Sequence, residues 1–181
     1  MAFNVNEFRS QMVGDGARPN LFEVSLPFPG FSAPGNAQTK MTFMCKTASL
    51  PGTEIGVVPV NYFGRELKFA GNRTFGNWAV TIINDEDFNI KNAFERWLVG
   101  INTHVTNLRN PAALSPLNYT VDAEVFQYGK VGNIIKKYKF IGMFPVAIDE
   151  IQVDWGANDQ IEEFGITFAY QWWESVEDGV Q

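Results

Sequence analysis

The chain has 181 residues, of which 45% are hydrophobic, and it carries a net charge of −6. This length and apolar content are typical of a globular domain with a packed core, and we expect residues 1–181 to form a single domain. Every charged residue after Lys139 is acidic. A tight nucleic-acid binder needs clustered cations that displace counterions from phosphates, so the composition argues against that function.

The N-terminal residues show neither a basic start nor a long apolar stretch, so we expect no signal peptide and folding in a cytoplasm. No apolar run approaches the roughly 18 residues of a membrane-spanning helix, so we expect no membrane partner. Cys45 is the only cysteine, which excludes an internal disulfide. It alternates with Met41 and Phe43, and we interpret it as a buried small hydrophobic residue rather than a reactive thiol.

Alternation of apolar and polar residues with a period of two predicts a chain built mainly of β-strands. Proline, glycine, serine and asparagine interrupt this pattern and predict loops over 27–40 and 102–117. The predicted strands cover residues 21–26, 41–46, 55–62, 65–70, 78–83, 119–128, 134–141, 147–155 and 161–173.

The strands predicted over 55–62 and 65–70 form a hairpin that turns at Phe63 and Gly64. Pro59 interrupts the first strand, and proline is tolerated in a strand only at an edge or a bulge. An edge strand exposes unpaired backbone groups that can pair with another chain. This hairpin is therefore the first indication that the protein assembles.

Two further hairpins are predicted, one from 119–128 and 134–141 and one from 147–155 and 161–173. In the first of them Asp122 and Glu124 alternate with apolar residues. Successive side chains of a strand point to opposite faces, so the two carboxylates share one polar face.

One helix is predicted, over about 85–101. Its apolar residues recur at helical spacing, acidic residues 85–87 suit its positive N-terminal end, and Gly100 suits its exit. The predicted fold class is mainly β: a β-sandwich or a partly closed barrel with this one flanking α-helix.

The sequence contains no recognisable catalytic or metal-binding motif, and we expect no enzyme and no cofactor. His104 is the only histidine and lies in the predicted loop over 102–117, where a solvated side chain is expected. Residues 85–89 begin like a calcium-binding loop, but Ile90 replaces the required glycine and Arg96 the closing glutamate.

The chain is rich in large aromatic residues, with 5 Trp and 16 Phe. Trp172 and Trp173 point to opposite faces of one predicted strand, so both faces there need cover. Large aromatic residues are enriched at subunit interfaces. Packing in the core and contacts at a subunit interface are two alternative explanations for this surplus of aromatic residues.

Several blocks of the sequence together resemble the tail tube proteins of T4-like contractile-tailed bacteriophages. They occur in the family's order over nearly the whole chain: ARPNLFEV at 17–24, CKTASLPG at 45–52, VPV at 58–60, FAGNRTF at 69–75, WAVTIINDE at 78–86, EIQVDW at 150–155 and EFGITFAY at 163–170.

The resemblance implies a barrel-like protomer that forms hexameric rings. These rings stack coaxially into the inner tail tube, through which DNA and a tape measure protein pass without specific binding. The implied protein partners are further copies of the chain, the tail sheath protein, and the baseplate and tail terminator proteins. A tube subunit of a pyocin-like or type VI secretion-like system is the alternative, and a small-ligand-binding β-sandwich is a remote one.

The resemblance also implies that an extended hairpin arm over about 47–75 reaches an adjacent subunit or ring, and we expect flexible termini. The candidate contact residues on this arm are Pro59, Tyr62, Phe63, Arg65 and Arg73. Asp122 and Glu124 are the candidates for residues that face the lumen, because a DNA conduit lined by repeated cationic rings would trap phosphate groups.

Overall fold

The computed structural model describes residues 4–32 and 35–176. The ends of the chain for which flexibility is expected, 1–3 and 177–181, lie outside the described residues. The helices are α1 (Val5–Gln11), α2 (Ala37–Met44), α3 (Asn89–Ile101) and α4 (Pro116–Tyr119), with 3-10 turns at Val13–Asp15 and Pro111–Ala113. The strands are β1 (Phe22–Ser25), β2 (Cys45–Ala48), β3 (Glu54–Tyr62), β4 (Arg65–Thr74), β5 (Trp78–Ile83), β6 (Val121–Tyr128), β7 (Ile134–Ile148), β8 (Glu163–Ala169) and β9 (Trp172–Val176).

Seven strands form one antiparallel sheet in the order β1-β6-β7-β8-β5-β2, with β9 paired to β7. The first part of β7 pairs with β6 and β9, and its last part pairs with β8. Strand β7 therefore joins two layers. We call β1, β6, the first part of β7 and β9 the charged sheet, and the last part of β7, β8, β5 and β2 the second sheet.

The core lies between these layers, and its residues alternate along the strands. Buried and partly exposed positions alternate along β5 and β8, which is the pattern of strands with one face on a core. Trp78 packs against Phe140 and Phe168 with ring centroids 4.6 and 5.7 Å apart. The predicted fold class, mainly β and sandwich-like with a helix packed on it, is confirmed.

Helix α3 covers the core with one apolar face. Phe94 and Trp97 are fully buried, and the indole N–H of Trp97 donates to the carbonyl of Tyr119 at 2.7 Å. The helix begins later than predicted because Phe88 adopts a left-handed conformation, with φ of 51°. Gly100 lies inside the helix rather than beyond its end. A Cβ atom on Gly100 would stand 2.3 Å from the Phe31 ring.

The strand predicted over 41–46 is wrong: α2 occupies most of it, and β2 begins only at Cys45. Ala37 and Met41, four residues apart, bury one side of the helix, whereas Phe43 is 79% exposed. A three-residue alternation cannot distinguish a strand from a short helix whose buried residues are set by tertiary packing. The expectation of only one helix is also wrong, because α1, α2 and α4 are present besides α3.

Cys45 itself is partly buried against the core. Burial raises the pKa of its thiol to about 12, so the thiol stays protonated at neutral pH. This agrees with the interpretation of Cys45 as a small hydrophobic residue.

The third predicted hairpin is also wrong. Strand β7 continues through 142–148, residues 149–162 form a loop, and the predicted last strand is divided into β8 and β9. The change of layer occurs at Gly142, whose φ of 63° is a left-handed conformation that glycine adopts without strain. Among the described residues, no helix is long and apolar enough to cross a membrane.

Candidate assembly surfaces

Strands β3 and β4 form a separate two-stranded sheet, which we call the arm. Nine residues of strand correspond to a length of about 30 Å. Every residue of β3 and every residue of β4 except Gly71 is exposed. A two-stranded hairpin without cover is only marginally stable in water, so the arm has the properties of an element that packs on a partner.

The strand register gives the arm two different faces. Residues in register share a face, and the pairs Val58–Phe69 and Val60–Leu67 make one face apolar. The opposite face carries the pairs Pro59–Lys68 and Asn61–Glu66 and is polar. We call the first the apolar arm face; its members, each 44–65% exposed, are Val58, Val60, Tyr62, Leu67 and Phe69.

The predicted contact residues are spread along the arm rather than gathered in one cluster. Tyr62 and Phe63 lie at the tip with ring centroids 4.6 Å apart, and Phe63 is 93% exposed. Arg65 is in register with Tyr62 and so lies on the apolar arm face. Pro59 lies midway on the polar face, and Arg73 lies opposite Ile55 near the root.

Two tryptophans attach the segment before the arm to the domain. The indole N–H of Trp78 donates to the carbonyl of Ser49 at 2.7 Å, and that of Trp173 donates to the carbonyl of Gly52 at 3.0 Å. A shallow concavity lies there, but Trp78 is only 1% exposed. The ring of Trp78 is therefore not available to a ligand, and Phe75 and Tyr170, which also line the concavity, are partly buried.

The polar face that carries Asp122 and Glu124 is not simply acidic. Glu124 forms an ion pair of 2.9 Å with Lys137, and Asp122 forms one of 3.2 Å with Lys139. Glu174 lies in register with Lys139 on the same face. The two lumen candidates therefore belong to a surface of mixed sign.

Asp122 also has a structural contact that the alternation of the sequence did not indicate. Its Oδ1 accepts a hydrogen bond of 3.0 Å from the amide of Gly142, at the point where β7 changes layer. Glu124 has no such backbone contact among the described residues. The two carboxylates share a face, but their roles differ.

The loop at 149–162, which we call the acidic loop, was missed because a hairpin was predicted there. It carries acidic residues and no basic residue: Asp149, Glu150, Asp154, Asp159 and Glu162. Trp155 is fully exposed, Val153 is 85% exposed and Ile161 is 70% exposed. The available signal was the tryptophan between Asp154 and Gly156, in a segment with too many turn-forming residues to be a strand interior.

No arrangement for catalysis or for metal binding is seen in the described part of the chain. His104 lies exposed in a turn. Asp85 and Asp87 both contact the ammonium group of Lys40, so a cation from the protein itself occupies the place between them. Within residues 4–32 and 35–176, no three His, Cys, Asp or Glu side chains are grouped so that they could hold a metal ion.

The chain shares extensive sequence similarity with phage tail proteins. The family described as "Phage tail tube protein" matches residues 17–176. The chain is 33% identical over 165 residues to tail tube protein gp19 of Enterobacteria phage T4, covering 89% of this chain and 93% of that protein. It is 28% identical over 168 residues to the tail tube protein of Serratia phage KSP90, covering 92% and 93% of the two chains.

Solved structures share the fold at much lower identity. A chain in the cryo-EM structure of the anti-feeding prophage baseplate gives a TM-score of 0.66 at 12% identity, covering 91% of this chain and 98% of that one. A chain of the PVC sheath–tube complex, from an extracellular contractile injection system, gives 0.57 at 13%, covering 97% and 99%. With the family match over 17–176, these similarities lead to one conclusion: the chain belongs to the phage tail tube protein family.

Proposed function

We propose that this tail tube protein forms hexameric rings that stack coaxially into the inner tube of a contractile phage tail, as a structural subunit and not as an enzyme. The observation that carries the proposal is the arm. It exposes an apolar face over residues 58–69 and makes no contribution to the core. Such an element is stabilised when it packs on a neighbouring subunit.

The ring requires a lateral contact, and the charged sheet supplies two suitable edges. Strand β1 ends the sheet on one side. On the other side β9 pairs with β7 and, among the described residues, with no further strand. Pairing of β9 from one subunit with β1 of the next would satisfy both edges and close a ring.

In this arrangement the outer face of the charged sheet lines the lumen, with Asp122 and Glu124 among its residues. The mixed sign of this face suits a conduit for DNA and for a tape measure protein, because each nearby lysine is neutralised by a carboxylate. An unpaired lysine would be repeated in every subunit and every ring, and the summed phosphate contacts would retard the DNA.

The remaining partners follow from a tube of this kind. We expect the tail sheath protein outside the tube and baseplate and terminator proteins at its ends. Assembly takes place in the host cytoplasm, and the product is part of the virion tail. The fold likeness to chains of the anti-feeding prophage and PVC assemblies supports a second candidate, a tube subunit of a related injection system. The higher identity to phage tail tube proteins favours the phage tail.

Negative-stain electron microscopy of the purified protein tests the proposal, both alone and with baseplates that lack tubes. We expect hollow tubes with sixfold symmetry in end-on averages. They should grow mainly from baseplates, because ordering the arm costs about 1–2 kcal/mol per residue. Protein that stays monomeric under both conditions would contradict the tube. Tubes with a different rotational symmetry would contradict only the proposed number of six subunits per ring.

A further inference from the structure

The arm and the acidic loop leave the domain at opposite ends of the second sheet. The arm ends at Thr74, shortly before β5 begins at Trp78. The acidic loop ends at Glu162, whose carbonyl accepts a hydrogen bond of 2.8 Å from the amide of Asn84, just after β5. Strand β5 separates the two by about 20 Å.

The two elements are complementary in apolar surface. The apolar arm face presents five large side chains, and Phe63 extends this surface at the tip. The acidic loop presents Val153, Trp155 and Ile161, each at least 70% exposed. A fully exposed tryptophan beside two exposed aliphatic residues is typical of an interface anchor, since a monomeric surface rarely displays such a group.

The two elements are also complementary in charge. The acidic loop accounts for five of the six net negative charges of the chain. None of its carboxylates forms an ion pair with any residue in the described part of the chain. The arm has the opposite sign, because Arg65, Lys68 and Arg73 outnumber Glu54 and Glu66.

From this geometry we infer that the arm of one copy docks on the acidic loop of the next copy, with Trp155 against the apolar arm face and Arg65, which lies on that face, beside the loop carboxylates. The inference rests on the proposed function and names the surface that receives the arm. A contact between two different surfaces of identical chains is heterologous, and it repeats along a stack without limit. Complementary surfaces at opposite ends of one domain are what such a stack requires.

A charge exchange between two variants tests the contact. The arm variant carries Arg65→Glu, and the loop variant carries Asp149→Lys and Glu150→Lys. All three side chains are exposed, and neither carboxylate accepts a backbone hydrogen bond within the described residues, so both variants should fold, which circular dichroism checks. Each variant alone should form at least tenfold less tube than wild type on baseplates, because like charges then meet at every ring contact.

Combining both sets of substitutions in one chain should restore tube formation, since every contact between an arm and a loop then again joins opposite charges. A matched control, Lys91→Glu with Arg96→Glu on α3, reverses two positive charges away from both surfaces and should assemble normally. Full assembly of the arm variant and of the loop variant, or no recovery in the combined chain, would overturn the inference. Failure of wild-type protein to form tubes would instead overturn the proposed function, so the two failures are distinguishable.

Discussion

The amide of Gly142 donates a hydrogen bond of 3.0 Å to Oδ1 of Asp122. This contact joins β6 to β7 at the residue where β7 turns from the charged sheet into the second sheet. Gly142 has a left-handed φ of 63°, and its amide lies at the register shift between 121 and 123. The carboxylate thereby satisfies a donor that the interrupted strand ladder leaves unpaired.

Replacing Asp122 should therefore destabilise the protomer more than replacing its neighbour Glu124. Asp122→Ala removes the acceptor for the Gly142 amide as well as the ion pair with Lys139, and we expect a loss of about 1–2 kcal/mol. Glu124→Ala removes an ion pair with Lys137 only, which is worth about 0–1 kcal/mol. Urea denaturation of both variants measures the difference, and equal losses would show that the hydrogen bond contributes no stability.

Because Asp122 has this structural contact, Glu124 and Glu174 are the better probes of the lumen. Glu124→Lys combined with Glu174→Lys should leave tubes intact but slow genome ejection, since every ring would then present unpaired cations to the DNA. The delay should be largest at low salt, where phosphate contacts are strongest. Ejection is followed by DNA release from purified phage.

The uncharged pair Glu124→Gln and Glu174→Gln is the matched control for that variant. It removes the same carboxylates without adding positive charge, so its ejection rate should change much less. An unchanged ejection rate from well-formed tubes of the lysine variant would show that these residues lie away from the lumen. It would not contradict the proposal that the protein forms a tube.

Shortening the arm should abolish tube extension without unfolding the domain. Residues 60–67 are deleted, and Pro59 is joined to Lys68, its partner in register, through an Asn-Gly turn that suits a two-residue hairpin loop. The melting temperature should stay within a few degrees of wild type, because the arm residues lie outside the core. Long tubes formed by this variant would show that the tip does not contact the adjacent subunit.

Acid stability should depend on the contact between Lys40 and Asp87. The hydrogen bonds from Lys40 and from the Asn89 amide hold the pKa of Asp87 below its ordinary value of 3.8. Because the pKa of Asp87 is lower in the folded protein than in the unfolded chain, the ionised carboxylate stabilises the folded state above pH 4. This stability is lost as the pH falls through the pKa of Asp87 in the folded protein. Asp87→Asn should thus be less stable than wild type at neutral pH.

The difference between wild type and Asp87→Asn should begin to shrink near pH 4 and approach zero once the pH has fallen through the lowered pKa of folded Asp87, because the folded aspartate is protonated only there. Urea midpoints measured across pH 2–7 give the comparison. Asn can still accept the Asn89 amide hydrogen bond, so the variant isolates the charge. A stability difference that is independent of pH would exclude the ion pair as its source.

Local patterns in the amino-acid sequence were enough to predict the fold class, most of the strands and the apolar face of α3. Period-two alternation is a local property, and residues such as Trp78 and Phe168 are buried as the alternation requires. The spacing of Phe94 and Trp97 likewise needs only helical geometry to place both on the core. The blocks shared with tail tube proteins identified the family, since they extend over most of the chain.

The division of the strands between two layers and the identity of the exposed surfaces depend on contacts between residues that are distant in sequence, so local patterns did not predict them. Gly142 turns β7 from one layer to the other, and only the paired strands reveal that Asp122 caps this turn. Met41 and Phe43 separate because packing, not alternation, selects the buried side of α2. Trp155 is exposed for a related reason: burial depends on what the rest of the fold brings near, and local sequence does not contain that information.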